Sequence, residues 1–185
     1  MTTLTIYPDK NPDRPDISTS DPAKIAELLA KVGVHFERWK AEAELPENAT
    51  QEQVIAAYKT EVDRLSSAAG YQSVDVIRLT PDNPKKDEFR AKFLDEHIHD
   101  EDEVRFFVEG SGAFYLHLDD KVYQVVCTRD DLLSVPAGTL HWFDMGPEPR
   151  FTCIRLFTTP EGWVAKFTGD KISASIPRFG EKVAA

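Results

Sequence analysis

Two imidazoles, five carboxylates and a guanidinium crowd into the ten residues Glu96-His97-Ile98-His99-Asp100-Glu101-Asp102-Glu103-Val104-Arg105. On an extended chain, side chains two apart point to the same face, so His97, His99, Glu103 and Arg105 share parity and are expected to face one space. The acidic stretch between His99 and Glu103 is where a bulge would interrupt that alternation, and Asp100, Glu101 and Asp102 read as a solvated run. Two imidazoles with a carboxylate suit a divalent first-row metal such as Fe, Ni, Mn or Zn, and the absence of thiolates from the segment weakens the soft-metal and cluster readings.

A further ligand has to come from elsewhere, and the chain holds only five histidines. His117 lies in Ala113–Leu118, opposite the apolar face of Phe114, Leu116 and Leu118, and reads as a surface or second-layer residue beside Tyr115. His35, next to Glu37, reads as structural. His141 follows Pro136-Ala137-Gly138-Thr139-Leu140, a turn that would present it from the end of a strand, with Trp142 and Phe143 behind it as an apolar wall. The quartet His97, His99, Glu103 and His141 is the expected metal site.

These residues need strands to hold them. The first 70 residues alternate extended pieces with two helical ones. The first helix opens at Asp21-Pro22, repeats Ile25, Leu28, Leu29 and Val32 at helical spacing, and stops at Gly33. The second follows Asn48-Ala49-Thr50, places Val54, Ala57, Tyr58, Val62 and Leu65 on one face, and stops at Gly70. Val34 to Trp39, between them, reads as a strand. From about Ser73 the texture becomes short β-rich runs: Ser73–Leu79, Val104–Glu109, Ala113–Leu118, Lys121–Cys127, Leu132–Val135 and Phe151–Thr158. Gly110-Ser111-Gly112 and Asp119-Asp120 stand where hairpin turns are expected. Pro81 to Phe93 should be a loop passing into a short helix that delivers the chain to Glu96-His97. The expected fold is mainly β with helices covering one side, as one domain over 1–185: an N-terminal cover over 1–72, a β core over 73–168, and a polar tail over 169–185 that packs loosely.

Composition narrows the function. With 185 residues, 41% hydrophobic and 29% charged, the chain has the make-up of an ordinary globular domain. A net charge of −10 argues against nucleic acid, which requires a clustered basic surface. No apolar run is long enough to span a membrane, and the N-terminus lacks the pattern of a secretory signal, so a cytoplasmic location is expected. Cys127 and Cys153 are expected to be unpaired buried thiols.

At the metal residues the sequence resembles the cupin superfamily. Its first motif reads here as His97-Ile98-His99, three residues, Glu103, six residues, Gly110, and its second, PxGxxH, as Pro136 to His141. The leading glycines of the two motifs are replaced by Ala91 and Asp130, and the closing Asn of the second by Met145. The longer strings EHIHDEDEVRFFVEGSGAFYLHLDD and PAGTLHWFDMG, with the helical region before them, are similar to the acireductone dioxygenases of methionine salvage. This resemblance implies a cupin-type β-barrel (jelly roll) and one Fe(II) or Ni(II) per monomer. It implies oxidation of the acireductone 1,2-dihydroxy-3-keto-5-methylthiopentene by O2. It matches Arg105 and Arg155 to active-site arginines, and Phe93, Phe143 and Trp163 to aromatic positions near the substrate. Glu96 is assigned the task of orienting a ligand histidine. Two other readings stay open on the residues alone, namely another cupin oxygenase or isomerase and a non-catalytic metal-binding module.

Overall fold

The computed structural model describes residues 1–41, 44–159 and 162–180. The chain opens with strands β1 (Thr3–Pro8) and β2 (Ile17–Thr19), helix α1 (Pro22–Ala30) and strand β3 (His35–Arg38). Helices α2 (Gln51–Ala57) and α3 (Lys59–Ala69), strand β4 (Ser73–Leu79) and helix α4 (Lys86–Leu94) come next. Strands β5 (His97–Ile98), β6 (Glu103–Leu118), β7 (Lys121–Thr128), β8 (Asp131–Val135), β9 (Leu140–Asp144), β10 (Arg150–Phe157) and β11 (Lys166–Phe167) complete the β-rich part. All the strand pairings are antiparallel and link the strands into one sheet.

Helix boundaries follow the residues that satisfy loose backbone groups. Asp21 accepts from the Ala23 amide with Pro22 at the first turn of α1, and Thr50 and Gln53 form a reciprocal capping box at α2. The second expected helix is two. The break falls at Tyr58, whose backbone leaves the helical region (φ −123°, ψ 22°) while its ring is fully buried, 4.7 Å from that of Phe106. Trp39, Val54 and Val62 join Tyr58 in packing these helices against Phe106 and Ile154 of β6 and β10. Burying a large apolar side chain of this kind contributes roughly 1.5–3 kcal/mol, so this face secures the helical cover.

Strand β6 organises the barrel. Its first half pairs with β8 and β10, and its second half with β7 and β9. The Gly110-Ser111-Gly112 hairpin expected from sequence does not exist, because the chain runs through it as one 16-residue strand. The glycines serve close approach instead. A Cβ on Gly110, where φ is +76°, would lie 1.8 Å from the Arg150 carbonyl oxygen, and one on Gly112 would lie 2.4 Å from the Phe143 ring. The Asp119-Asp120 turn is where expected, between β6 and β7.

The N-terminal region is more than a cover, since β1 pairs with β7 and β3 with β8 inside the sheet. The tail also departs from expectation over its described part. Ile176 is buried, Tyr115 donates to the Pro177 carbonyl, and the Phe179 amide donates to Asp144. Cys127 and Cys153 are free and buried, and burial pushes the Cys153 thiol up to about 12. Among the described residues, no helix is long and apolar enough to cross a membrane.

Candidate metal centre

His97 and His141 come together because β5 and β9 pair at that one register position, His97 opposite His141. His99 follows two residues on, where its carbonyl accepts from the Gly138 amide and so ties the first histidine segment to the turn before His141. Glu103 opens β6. One ligand atom from each of these four residues falls within 4.8 Å of all the others, and each residue is at most 5% exposed.

The imidazoles are aimed by the main chain. His97 Nδ1 lies 2.8 Å from the Asp95 carbonyl, His99 Nδ1 3.0 Å from that of Val164, and His141 Nδ1 2.7 Å from that of Thr139. A carbonyl only accepts, so each Nδ1 carries the hydrogen, which leaves Nε2 as the free base in a neutral ring. His99 Nε2 and His141 Nε2 each lie 3.1 Å from Glu103 Oε2. Lone pairs converging on a carboxylate repel unless a cation stands among them. The donor set, three nitrogens and one oxygen with no sulfur, therefore fits a divalent first-row metal.

The electrostatics agree. Burial pushes the Glu103 carboxyl up, but the Arg105 guanidinium and the bonds to His141 and His99 outweigh it and hold the group well below the usual carboxylate range. Burial and the neighbouring His141 push His97 down to about 4, so it stays neutral and ready to ligate. His99 runs the other way: burial disfavours its charge, but the Glu103 carboxylate raises it, so a proton and a metal compete for the space between Nε2 and that carboxylate.

A cavity of about 430 Å³ opens beside this cluster, and His97, His99, Glu103 and Arg105 all border it, although the chain bends at Asp100 and Glu101, so the two pairs belong to separate segments rather than to one unbroken alternation. Phe93, Phe143, Arg155 and Trp163 border it too, so every residue that the resemblance placed near a substrate is brought there. Arg105 donates to Glu103 Oε1 at 2.7 Å, and its guanidinium lies 4.4 Å from the Phe143 ring centre and 5.6 Å from that of Trp163. Its Nε is buried with no hydrogen-bond partner among the described residues, a cost of roughly 1–3 kcal/mol that a ligand oxygen would relieve. Arg155 is gripped by Asp75 through Nε at 2.8 Å and Nη2 at 2.6 Å.

Two expectations are corrected. Glu96 does not orient a ligand histidine. Its Oε2 meets His117 Nδ1 at 2.7 Å and its Oε1 accepts from the Thr168 hydroxyl at 2.8 Å, while three carbonyls do the orienting. His117 is accordingly a second-layer residue outside the quartet. The acidic run is not merely solvated. Glu101 accepts from the backbone and hydroxyls of Thr158 and Thr159, and Asp102 from the Ala137 amide, which pins loops at the rim. The exposed Asp100 pairs with Lys166. Sequence reasoning also passed over the Val164 carbonyl, which has no side-chain signature, and Lys92, whose only signal was its place beside Phe93.

A barrel of antiparallel strands with a buried three-histidine, one-glutamate cluster beside a cavity lined by arginines and aromatic rings is a metal-binding cupin. The ARD/ARD' family model matches residues 3–165, and the chain belongs to that family. Acireductone dioxygenase of Hahella chejuensis is 57% identical over 99% of this chain and 98% of its own length. That of Parvibaculum lavamentivorans is 58% identical over 97% of both chains. The solved acireductone dioxygenase from Bacillus anthracis, with a cadmium ion in its active center, superposes with a TM-score of 0.77 at 30% identity, covering 90% of this chain and 98% of that one.

Proposed function

We propose that this chain is a metal-dependent dioxygenase that oxidises the acireductone 1,2-dihydroxy-3-keto-5-methylthiopentene with O2 in methionine salvage. His97, His99, Glu103 and His141 hold its metal. The observation that carries the reading is the quartet itself, three carbonyl-braced imidazoles closing on one buried carboxylate at the wall of a cavity. The family resemblance implies formate and 4-methylthio-2-oxobutanoate with Fe(II), and formate, carbon monoxide and 3-methylthiopropanoate with Ni(II).

When bound, the metal supplies the positive charge and Lewis acidity that favour an ionised enediol. Arg105 adds to that field from the same wall, and its free Nε–H gives a substrate oxygen a donor in a fixed plane. Arg155, locked by Asp75, presents a second guanidinium that cannot swing away. Phe93, Phe143 and Trp163 exclude water and leave an apolar space suited to a methylthio chain. Trp163 is held by its Nε1–H, which donates to the Asp102 carbonyl at 3.1 Å. An electron-rich enediolate reacts with O2 readily, so orientation and dryness are what the protein has to provide.

The same reading carries one domain over 1–185 working as a monomer in the cytoplasm, without nucleic-acid or membrane partners. Two buried free thiols suit a reducing compartment. The test is anaerobic reconstitution of the purified protein with Fe(II) or Ni(II), followed by oxygenation of the acireductone with headspace gas analysis. Carbon monoxide from the nickel form alone, and the keto acid from the iron form, are expected. Absence of oxygen uptake by either form, with metal stoichiometrically bound, would move the assignment to another cupin activity.

A further inference from the structure

The positive charges around the cavity are unequally committed. Arg105 donates to Glu103 and lies over aromatic faces, with only its buried Nε–H left for a ligand, and Arg155 is closed into a two-point ion pair with Asp75. Lys92, in the last turn of α4, borders the same cavity, is exposed, and has no ion pair among the described residues. Its Nζ stands 5.7 Å from the centre of the Phe93 ring, the aromatic residue that follows it in the cavity wall. An ammonium on a flexible stem is a mobile point charge with three donors, unlike the two fixed guanidinium forks.

The rest of the molecule makes such a charge useful. The chain carries a net charge of −10, so an approaching anion meets a repulsive field until it comes within reach of the cavity. We propose that Lys92 is the recruiting charge of this site. It meets the anionic enediolate at the mouth and passes it inward to the committed guanidinium of Arg105. The proposal rests on the acireductone reading above, because it requires a substrate that arrives as an anion.

The experiment is anaerobic stopped-flow mixing of metal-loaded protein with the enediolate, followed by its near-ultraviolet absorbance, for wild type, K92M, K92E and K92R across a range of ionic strength. At about 20 mM salt the association rate should fall roughly 3-fold in K92M and roughly 10-fold in K92E, and K92R should restore it, as expected for steering by one nearby charge. At about 1 M salt, where the screening length is about 3 Å, the differences should collapse. Bound metal, measured in parallel, should be one equivalent in all four proteins. Wild-type association in K92E at low salt would overturn the proposal, as would a loss that persists at high salt and so marks a packing role. Failure of the wild type itself to bind the enediolate would instead overturn the acireductone reading, and this proposal with it.

Discussion

On one side of the cavity, where β5, β6 and β9 meet, each of the four candidate metal ligands is at most 5% exposed and each imidazole is braced by a carbonyl. On the other side, α4 has no fully buried residue, and the segment that carries Trp163 leaves Val164 65% and Phe167 54% exposed. The strand side is held by ladders and core packing. The covering side has less of both, the short β11–β5 pairing and the partly buried Phe89 and Phe93, and adds polar ties: Arg90 to Asp144 at 2.8 and 3.0 Å, Trp163 to the Asp102 carbonyl, and Thr168 to Glu96. Helix α4 can therefore shift without touching the braces of the imidazoles, whereas the Trp163 segment cannot, because its Val164 carbonyl accepts from His99 Nδ1 and β11 pairs with β5 at His97. Changes on the strand side should remove the metal, and changes in α4 should alter substrate handling.

The sharpest way to break that contrast is His141→Ala. It removes one of the four donors, and bound metal and turnover should fall together, with activity down by at least about 1000-fold in oxygen-uptake assays. Arg105→Ala comes next. It should keep the metal but lose about 100-fold in kcat/KM, the scale of one preorganised charge donor, and unchanged kinetics would remove its anion-binding role. Asp144→Asn loosens α4 from behind. Asp144 is fully buried and accepts from Arg90, Gly146 and Phe179, so the change should cost about 3 kcal/mol in urea unfolding and raise KM with metal retained. His117→Ala should do least, costing about 1 kcal/mol through the partner that Glu96 loses while metal and turnover remain.

What the sequence made legible and what it hid divide by distance along the chain rather than by side of the cavity. His97, His99, Glu103 and Arg105 could be read because their residue types fall close together in the chain, and strand alternation pairs Glu103 with Arg105 on β6. His141 could be read because a five-histidine chain left few candidates and the turn before it presents it from the end of a strand. The Gly110 and Gly112 pair misled, because glycines read as turns when the reason for them is distant, an Arg150 carbonyl and a Phe143 ring that sequence cannot place alongside. The break at Tyr58 was hidden because a regular apolar face continues across it. The Asp75 grip on Arg155 joins residues 80 positions apart, and the carbonyl of Val164 has no residue type to betray it. Local chemistry was visible, and long-range polar ties were not.

The most direct test of the central claim is calorimetric titration of metal-free protein with Ni(II), run on wild type, His141→Ala and His117→Ala. One equivalent bound tightly by the wild type and by His117→Ala, with tight binding lost in His141→Ala, is the predicted result. Tight one-to-one binding that survives in His141→Ala would contradict the assignment of the quartet as the metal centre.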